Sequence, residues 1–126
     1  MKTATTLGLA FAALLAATST AFADGKADEG EKIFKRSCGS CHVATKDGPK
    51  RLGPTLFGVV GRKAGSVEGF RYSEANKKSG VTWTPDVLDK YLTDPKKFIP
   101  GTTMAFAGLK KDDDRADIIA YLSTLK

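Results

Sequence analysis

Hydrophobic and polar positions divide the chain into a leader, four helix-forming stretches and long irregular connections. The leader carries Lys2, an apolar run from Leu7 to Ala17, and the small residues Ala21 and Ala23 spaced as a cleavage site. About eleven apolar residues are too few for a membrane span, so 1–23 reads as a cleavable signal peptide and 24–126 as one domain. Residues 28–36 place acids in the first turn and bases in the last around Ile33 and Phe34, the polarity of a short helix. Gly30 within it predicts a second helix crossing at close range, because a missing side chain lets backbones approach. The matching stretch opens at Asp112 and runs to Leu125, with Ile118, Ile119, Leu122 and Leu125 at i, i+1, i+4 and i+7 and Tyr121 beside them. Thr84 and Pro85 cap and start a further helix whose apolar face is Val87, Leu88, Tyr91 and Leu92, and Asp94-Pro95 stops it. Ser73 caps one or two turns that end at Gly80. Residues 43–69 and 99–109 lack the alternation of strands and read as loop, so the expected class is all-α. Such a long irregular stretch in a small domain predicts that something other than protein fills the centre.

Composition narrows the picture. With 126 residues the chain holds one domain, and 41% hydrophobic content excludes general disorder. Thirteen Gly and five Pro argue against an uninterrupted helical bundle. Twenty basic residues against fourteen acidic give a net charge of +6, and losing Lys2 with the leader lowers it by one. That balance favours an anionic partner or surface. Nucleic-acid binding is weakened as a reading by the inferred export and by acids scattered through the chain, so no nucleic-acid partner is expected. Lys96-Lys97 and Lys110-Lys111 flank the 99–109 loop, and Lys32, Lys35, Lys50 and Arg51 flank the cysteines; such residues are ordinarily solvated charge.

The chemistry concentrates in Cys38-Gly39-Ser40-Cys41-His42, the C-x-x-C-H pattern of covalent c-type haem attachment. Two thiols three positions apart can reach two vinyl-derived carbons on one side of a porphyrin, while the next residue offers an imidazole to the iron. The competing readings are a structural disulfide, thioredoxin-type exchange and half of a zinc site. Exchange enzymes open a helix with their cysteines whereas this motif closes one, and zinc needs ligands the chain lacks, His42 being its one histidine. For a sixth iron ligand, the soft donor left in residues 24–126 is Met104, in a loop bounded by Pro100, Gly101 and Gly108. Lone methionines more often fill cores. Lysine ligation and an open site stay as alternatives. The glycines at 53, 58, 61, 65 and 69 form no nucleotide-binding loop; they suit turns and close passage of backbone around a planar group.

Over residues 26–126 the order CGSCH, GPTLFGVVGRKAG, GFRYSEANKKSG, YLTDPKKFIPGTTMAFAGLKK and DIIAYL resembles the class I cytochrome c family, including its bacterial cytochrome c2 and mitochondrial members. The resemblance implies the class I cytochrome c fold, short helices and loops around one covalent haem c. It makes His42 the proximal and Met104 the distal iron ligand, with the Pro54 carbonyl accepting the second imidazole N–H. Tyr91, Thr102 and Asn76 match residues near the distal sulfur and a buried water. Arg62, Tyr72 and Trp83 match partners of the haem propionates, and Phe106 matches an aromatic beside the exposed haem edge. Lys32, Lys96, Lys97, Lys110 and Lys111 become a docking rim, incomplete where Ser37 and Thr103 replace lysines of mitochondrial relatives. The implied function is a soluble one-electron carrier, with no stable membrane insertion, between a cytochrome bc1-type complex and a terminal oxidase or photosynthetic reaction centre. Together with the leader, this places the protein in the periplasm. A peroxidase-like haem enzyme or gas sensor with an open distal site is the alternative, separable by its visible spectrum.

Overall fold

The computed structural model describes residues 25–126, and the leader at 1–23 lies outside them. Five helices follow in order: α1 (Ala27–Ser37), α2 (Glu74–Lys78), α3 (Pro85–Thr93), α4 (Pro95–Phe98) and α5 (Asp112–Thr124). Among the described residues the only extended pairing is an isolated antiparallel bridge between Lys63 and Thr82, so the class is all-α.

Asp28 and Glu29 in the first turn of α1, and Lys35 and Arg36 in its last, oppose the helix dipole. Its crossing with α5 is set at Gly30, where a Cβ would stand 2.0 Å from the Asp117 carbonyl oxygen. That contact lets Ile33 and Phe34 meet the α5 face of Ile118, Ile119 and Leu122 in one buried cluster. The Phe34 and Tyr121 rings pack with centroids 5.6 Å apart. Arg115, also on α5, is buried as well, which the apolar periodicity of that helix does not announce.

The Thr84 hydroxyl accepts from the Val87 N–H at 3.3 Å and starts α3, which buries Leu88, Tyr91 and Leu92. Asp94 ends it with extended backbone at φ −160° and ψ 93°. The same residue then begins α4, an element absent from the pattern-based expectation: its carboxylate accepts from the Lys97 N–H at 3.2 Å, and Pro95 suits the first helical position. Asp94-Pro95 is therefore both a stop and a start. Ser73 caps α2 by accepting from the Asn76 N–H at 3.1 Å.

The long connection before α2 is irregular but bonded. Leu56 N–H donates to the Val43 carbonyl at 2.9 Å, Gly61 N–H to Trp83 at 2.8 Å, and Ala64 N–H to Val81 at 2.8 Å. No helix among the described residues is long and apolar enough to cross a membrane.

Candidate cofactor site

The irregular connection, the end of α1, and parts of α3 and α5 surround a cavity of about 490 Å³. Cys38, Cys41, His42, Pro54, Arg62, Tyr72, Asn76, Trp83, Tyr91, Thr102, Met104 and Phe106 all line it. Leu88, Leu92, Ile118 and Leu122, expected as apolar helix faces, also form its walls, joined by Leu56 and Val59. Their helical spacing could have indicated an apolar face but not what that face covers.

At one side the chain turns sharply as α1 ends. Cys38 and Gly39 N–H groups both donate to the Phe34 carbonyl at 2.8 Å, and Cys41 and His42 N–H groups donate to the Cys38 carbonyl at 3.0 and 2.9 Å. Both cysteines are free rather than joined as the disulfide alternative requires. Burial pushes the Cys38 thiol up to about 11, nearby Cys41 acting in the same direction and Arg36 opposing. His42 Nδ1 lies 2.7 Å from the Pro54 carbonyl oxygen. A carbonyl can only accept, so Nδ1 carries the proton and Nε2 keeps its lone pair. Burial lowers the His42 pKa and Arg62 adds to this, while the bond to Pro54 opposes it, so the charged ring is disfavoured. Gly53 is required beside it: a Cβ there would fall 2.3 Å from the ring Cε1.

Elsewhere on the wall the Tyr91 hydroxyl donates to Met104 Sδ at 2.9 Å. Met104 N–H donates to Thr102 Oγ1 at 3.3 Å, and Thr102 N–H to the Ile99 carbonyl at 3.1 Å, which fixes the loop locally. Burial pushes the Tyr91 phenol up to about 12, the Thr102 hydroxyl opposing. Trp83 is buried with its ring centroid 4.6 Å from that of Tyr91. Asn76 Oδ1 is buried without a hydrogen-bond partner.

Arg62 is less free than a pure anion ligand would be. Its two terminal nitrogens donate to the Phe57 and Thr55 carbonyls at 2.8 and 2.9 Å, bracing the irregular connection. Burial lowers its pKa, with Tyr72 opposing. The Tyr72 oxygen accepts from the Val67 N–H at 3.0 Å and keeps its proton for another partner. All five rim lysines are exposed; Lys32 is also paired with Glu29 at 2.8 Å, and Lys110 donates to the Thr93 carbonyl at 2.7 Å. None of the five lines the cavity, whereas Lys63 does.

This set fits haem c. It combines two free thiols, an imidazole with one nitrogen already committed, a thioether, a largely aliphatic wall, and one orphaned polar oxygen at Asn76. Zinc does not fit, since no three His, Cys, Asp or Glu side chains come together among the described residues.

A family model described as cytochrome c matches residues 27–126. Cytochrome c of Gibberella zeae is 54% identical over 100 residues, covering 79% of this chain and 94% of that protein. Cytochrome c of Trypanosoma brucei brucei is 65% identical over 84 residues, covering 67% and 90%, and that of Stellaria longipes is 50% identical over 101 residues, covering 80% and 94%. These relatives belong to a fungus, a trypanosome and a plant, cells without a periplasm. The periplasmic location inferred from the leader is corrected accordingly: it rested on residues outside the matched region, and the relatives point to cytochromes c of eukaryotic type. The chain belongs to the cytochrome c family, electron-transfer proteins rather than enzymes, which carry covalently bound haem c.

Proposed function

We propose that this chain accepts one electron from a cytochrome bc1-type complex and delivers it to a terminal oxidase or photosynthetic reaction centre, using His42 and Met104 as iron ligands. The observation that carries this reading is one apolar cavity lined by both ligand side chains, each held by a hydrogen bond: the His42 ring through Nδ1 to Pro54, which leaves Nε2 as its donor atom, and Met104 at Sδ from Tyr91. Haem c, when bound, supplies the ferric–ferrous couple. Pro54 holds the His42 ring in the tautomer that leaves Nε2 unprotonated. Tyr91 orients Met104 and withdraws electron density from its sulfur, which would favour the ferrous state of a bound haem. Aliphatic walls from Leu56, Val59, Leu88 and Leu92 exclude water and disfavour the extra charge of the ferric form.

Arg62, Tyr72 and Trp83, which line the cavity, would serve the acidic groups of a bound haem, with Asn76 and Thr102 completing the polar environment of the sulfur and Phe106 closing the apolar wall. Exposed Lys96, Lys97 and Lys111, with Lys32 and Lys110, steer the carrier to acidic partner surfaces. Residues 1–23 are a leader removed from the mature chain. The deciding experiment is spectroscopic: the haem should survive acid-acetone extraction, and the ferric protein should show the weak long-wavelength band of thioether ligation. An extractable haem refutes covalent attachment, and absence of the band refutes Met104 as ligand.

A further inference from the structure

Arg115 is a buried charged side chain among the described residues, and the cavity does not include it. Its Nε donates to Asp89 Oδ1 at 2.7 Å, its Nη1 to the Leu109 carbonyl at 2.9 Å, and its Nη2 to Asp112. These partners stand on three segments. Asp89 lies in α3 two residues before Tyr91, Leu109 ends the loop that carries Met104, and Asp112 starts α5.

The same loop end is fastened to α3 by other contacts. Leu109 N–H donates to the Leu92 carbonyl at 2.7 Å, and Lys110 Nζ to the Thr93 carbonyl at 2.7 Å. Gly108 has φ 98° and leaves a Cβ position 2.2 Å from the Thr93 oxygen, so the two backbones touch. Resting on the ligand reading above, we infer that Arg115 is the positioning residue for Met104: it ties the Met104 loop and the Tyr91 helix to α5, fixing the sulfur relative to its hydroxyl donor. A planar guanidinium suits this because it can satisfy two carboxylates and a carbonyl at once. Removing it leaves Asp89 and the Leu109 carbonyl without their donor, which favours opening of this loop over opening elsewhere.

The test uses ferric holoprotein carrying Arg115→Met, Arg115→Lys or Asp89→Asn, with Ile33→Val as a control for general destabilisation on α1. Two quantities are read: the apparent affinity for added imidazole, followed by loss of the thioether band, and the exchange rate of the Leu109 amide. Arg115→Met should raise both by about tenfold or more, the effect of losing hydrogen bonds to a charged group. Asp89→Asn should raise both less, and Arg115→Lys should recover part of the loss. Ile33→Val, compared at equal distance from its unfolding midpoint, should move neither more than about twofold. Equal shifts in the control and in Arg115→Met, or no shift in Arg115→Met, overturn the inference. If Arg115→Met fails to fold, Asp89→Asn and Arg115→Lys decide on the same two readouts. A wild-type protein lacking the thioether band would instead refute Met104 ligation, while the Leu109 exchange rate would still report on the clamp.

Discussion

Gly30→Ala probes the contact that joins the two ends of the domain. The added methyl would stand 2.0 Å from the Asp117 carbonyl oxygen, 2.6 Å from its carbon and 2.7 Å from Tyr121 Cβ. Two of these neighbours are backbone, so rotation of a side chain cannot relieve them. Restoring ordinary contact requires α1 and α5 to separate by roughly 1 Å at the crossing, and a gap of that size forfeits a quarter to a half of each dispersion contact. The contacts at risk join Ile33 and Phe34 to Ile118, Ile119 and Leu122, all buried. Overpacking of this kind costs about 1–3 kcal/mol, occasionally more, and backbone neighbours place this site at the upper end. Helix propensity acts the other way by about 1 kcal/mol in favour of alanine. The net expectation is a loss of about 2 kcal/mol, or roughly 10 °C in Tm for a domain of this size. Guanidinium denaturation and thermal melting of the holoprotein, followed by far-UV circular dichroism, measure it. Gly39→Ala is the control, since its nearest neighbours lie 3.5 Å away and ordinary contact results. An unchanged or raised Tm for Gly30→Ala would show that propensity dominates and that the close crossing does not constrain the helices.

Met104→Ala should abolish the thioether band, lower the midpoint potential and admit cyanide or carbon monoxide to the iron; a wild-type spectrum and potential would remove the ligand assignment. Tyr91→Phe deletes the donor to the sulfur and should lower the potential with the thioether band retained, whereas an unchanged potential would show that the hydrogen bond does not tune the sulfur. In the ferrous protein the Tyr91 phenol should ionise near 12, above the ordinary value of 10. Its contribution to stability is therefore complete below pH 10 and lost as pH rises towards 12; a difference titration against Tyr91→Phe showing phenolate at the ordinary value contradicts this. Lys96→Glu with Lys97→Glu should slow low-salt electron transfer to a bc1-type complex or oxidase about threefold or more, while Lys126→Glu changes it little; a flat salt response with equal effects would remove the rim argument.

Local chemistry was legible wherever one short segment determined it. Thr84 and Ser73 announced their caps, Gly30 announced the helix crossing, and the spacing of Cys38, Cys41 and His42 announced the turn that brings them to one cavity. The misses lie where a polar side chain finds a partner that its own hydropathy does not indicate, three residues away or far along the chain. Asp94 reads as a helix stop because Pro95 follows it, yet its carboxylate also finds the Lys97 N–H and starts another turn. Arg115 falls outside the apolar periodicity of its helix, and its burial depends on Asp89, 26 residues away, and on the Leu109 carbonyl. Lys32 and Lys110 read as free rim charges, but Glu29 and the Thr93 carbonyl engage them. The location was misread for a different reason, since a leader's composition describes export without specifying the compartment that receives the chain.

The two side chains proposed as iron ligands are held by unlike means. Around His42 the bonds join the motif to the connection that follows it: Gly53 N–H to Cys41 at 2.8 Å, Leu56 N–H to Val43 at 2.9 Å, and the ring to Pro54 at 2.7 Å. They follow a motif whose cysteines attach the group covalently in this family, so attachment and local bonding fix the imidazole together. Met104 has no covalent link of that kind. Its placement depends on Tyr91 from α3 and on a loop whose end is fastened to α3 and α5 by Leu109, Lys110 and Arg115. Opening that loop requires breaking only a few backbone and ionic contacts, whereas releasing His42 requires unfolding around the attached group. On the proposed ligation, ligand exchange should therefore begin on the thioether side, and keeping that side closed during electron transfer should depend on contacts outside the cavity wall.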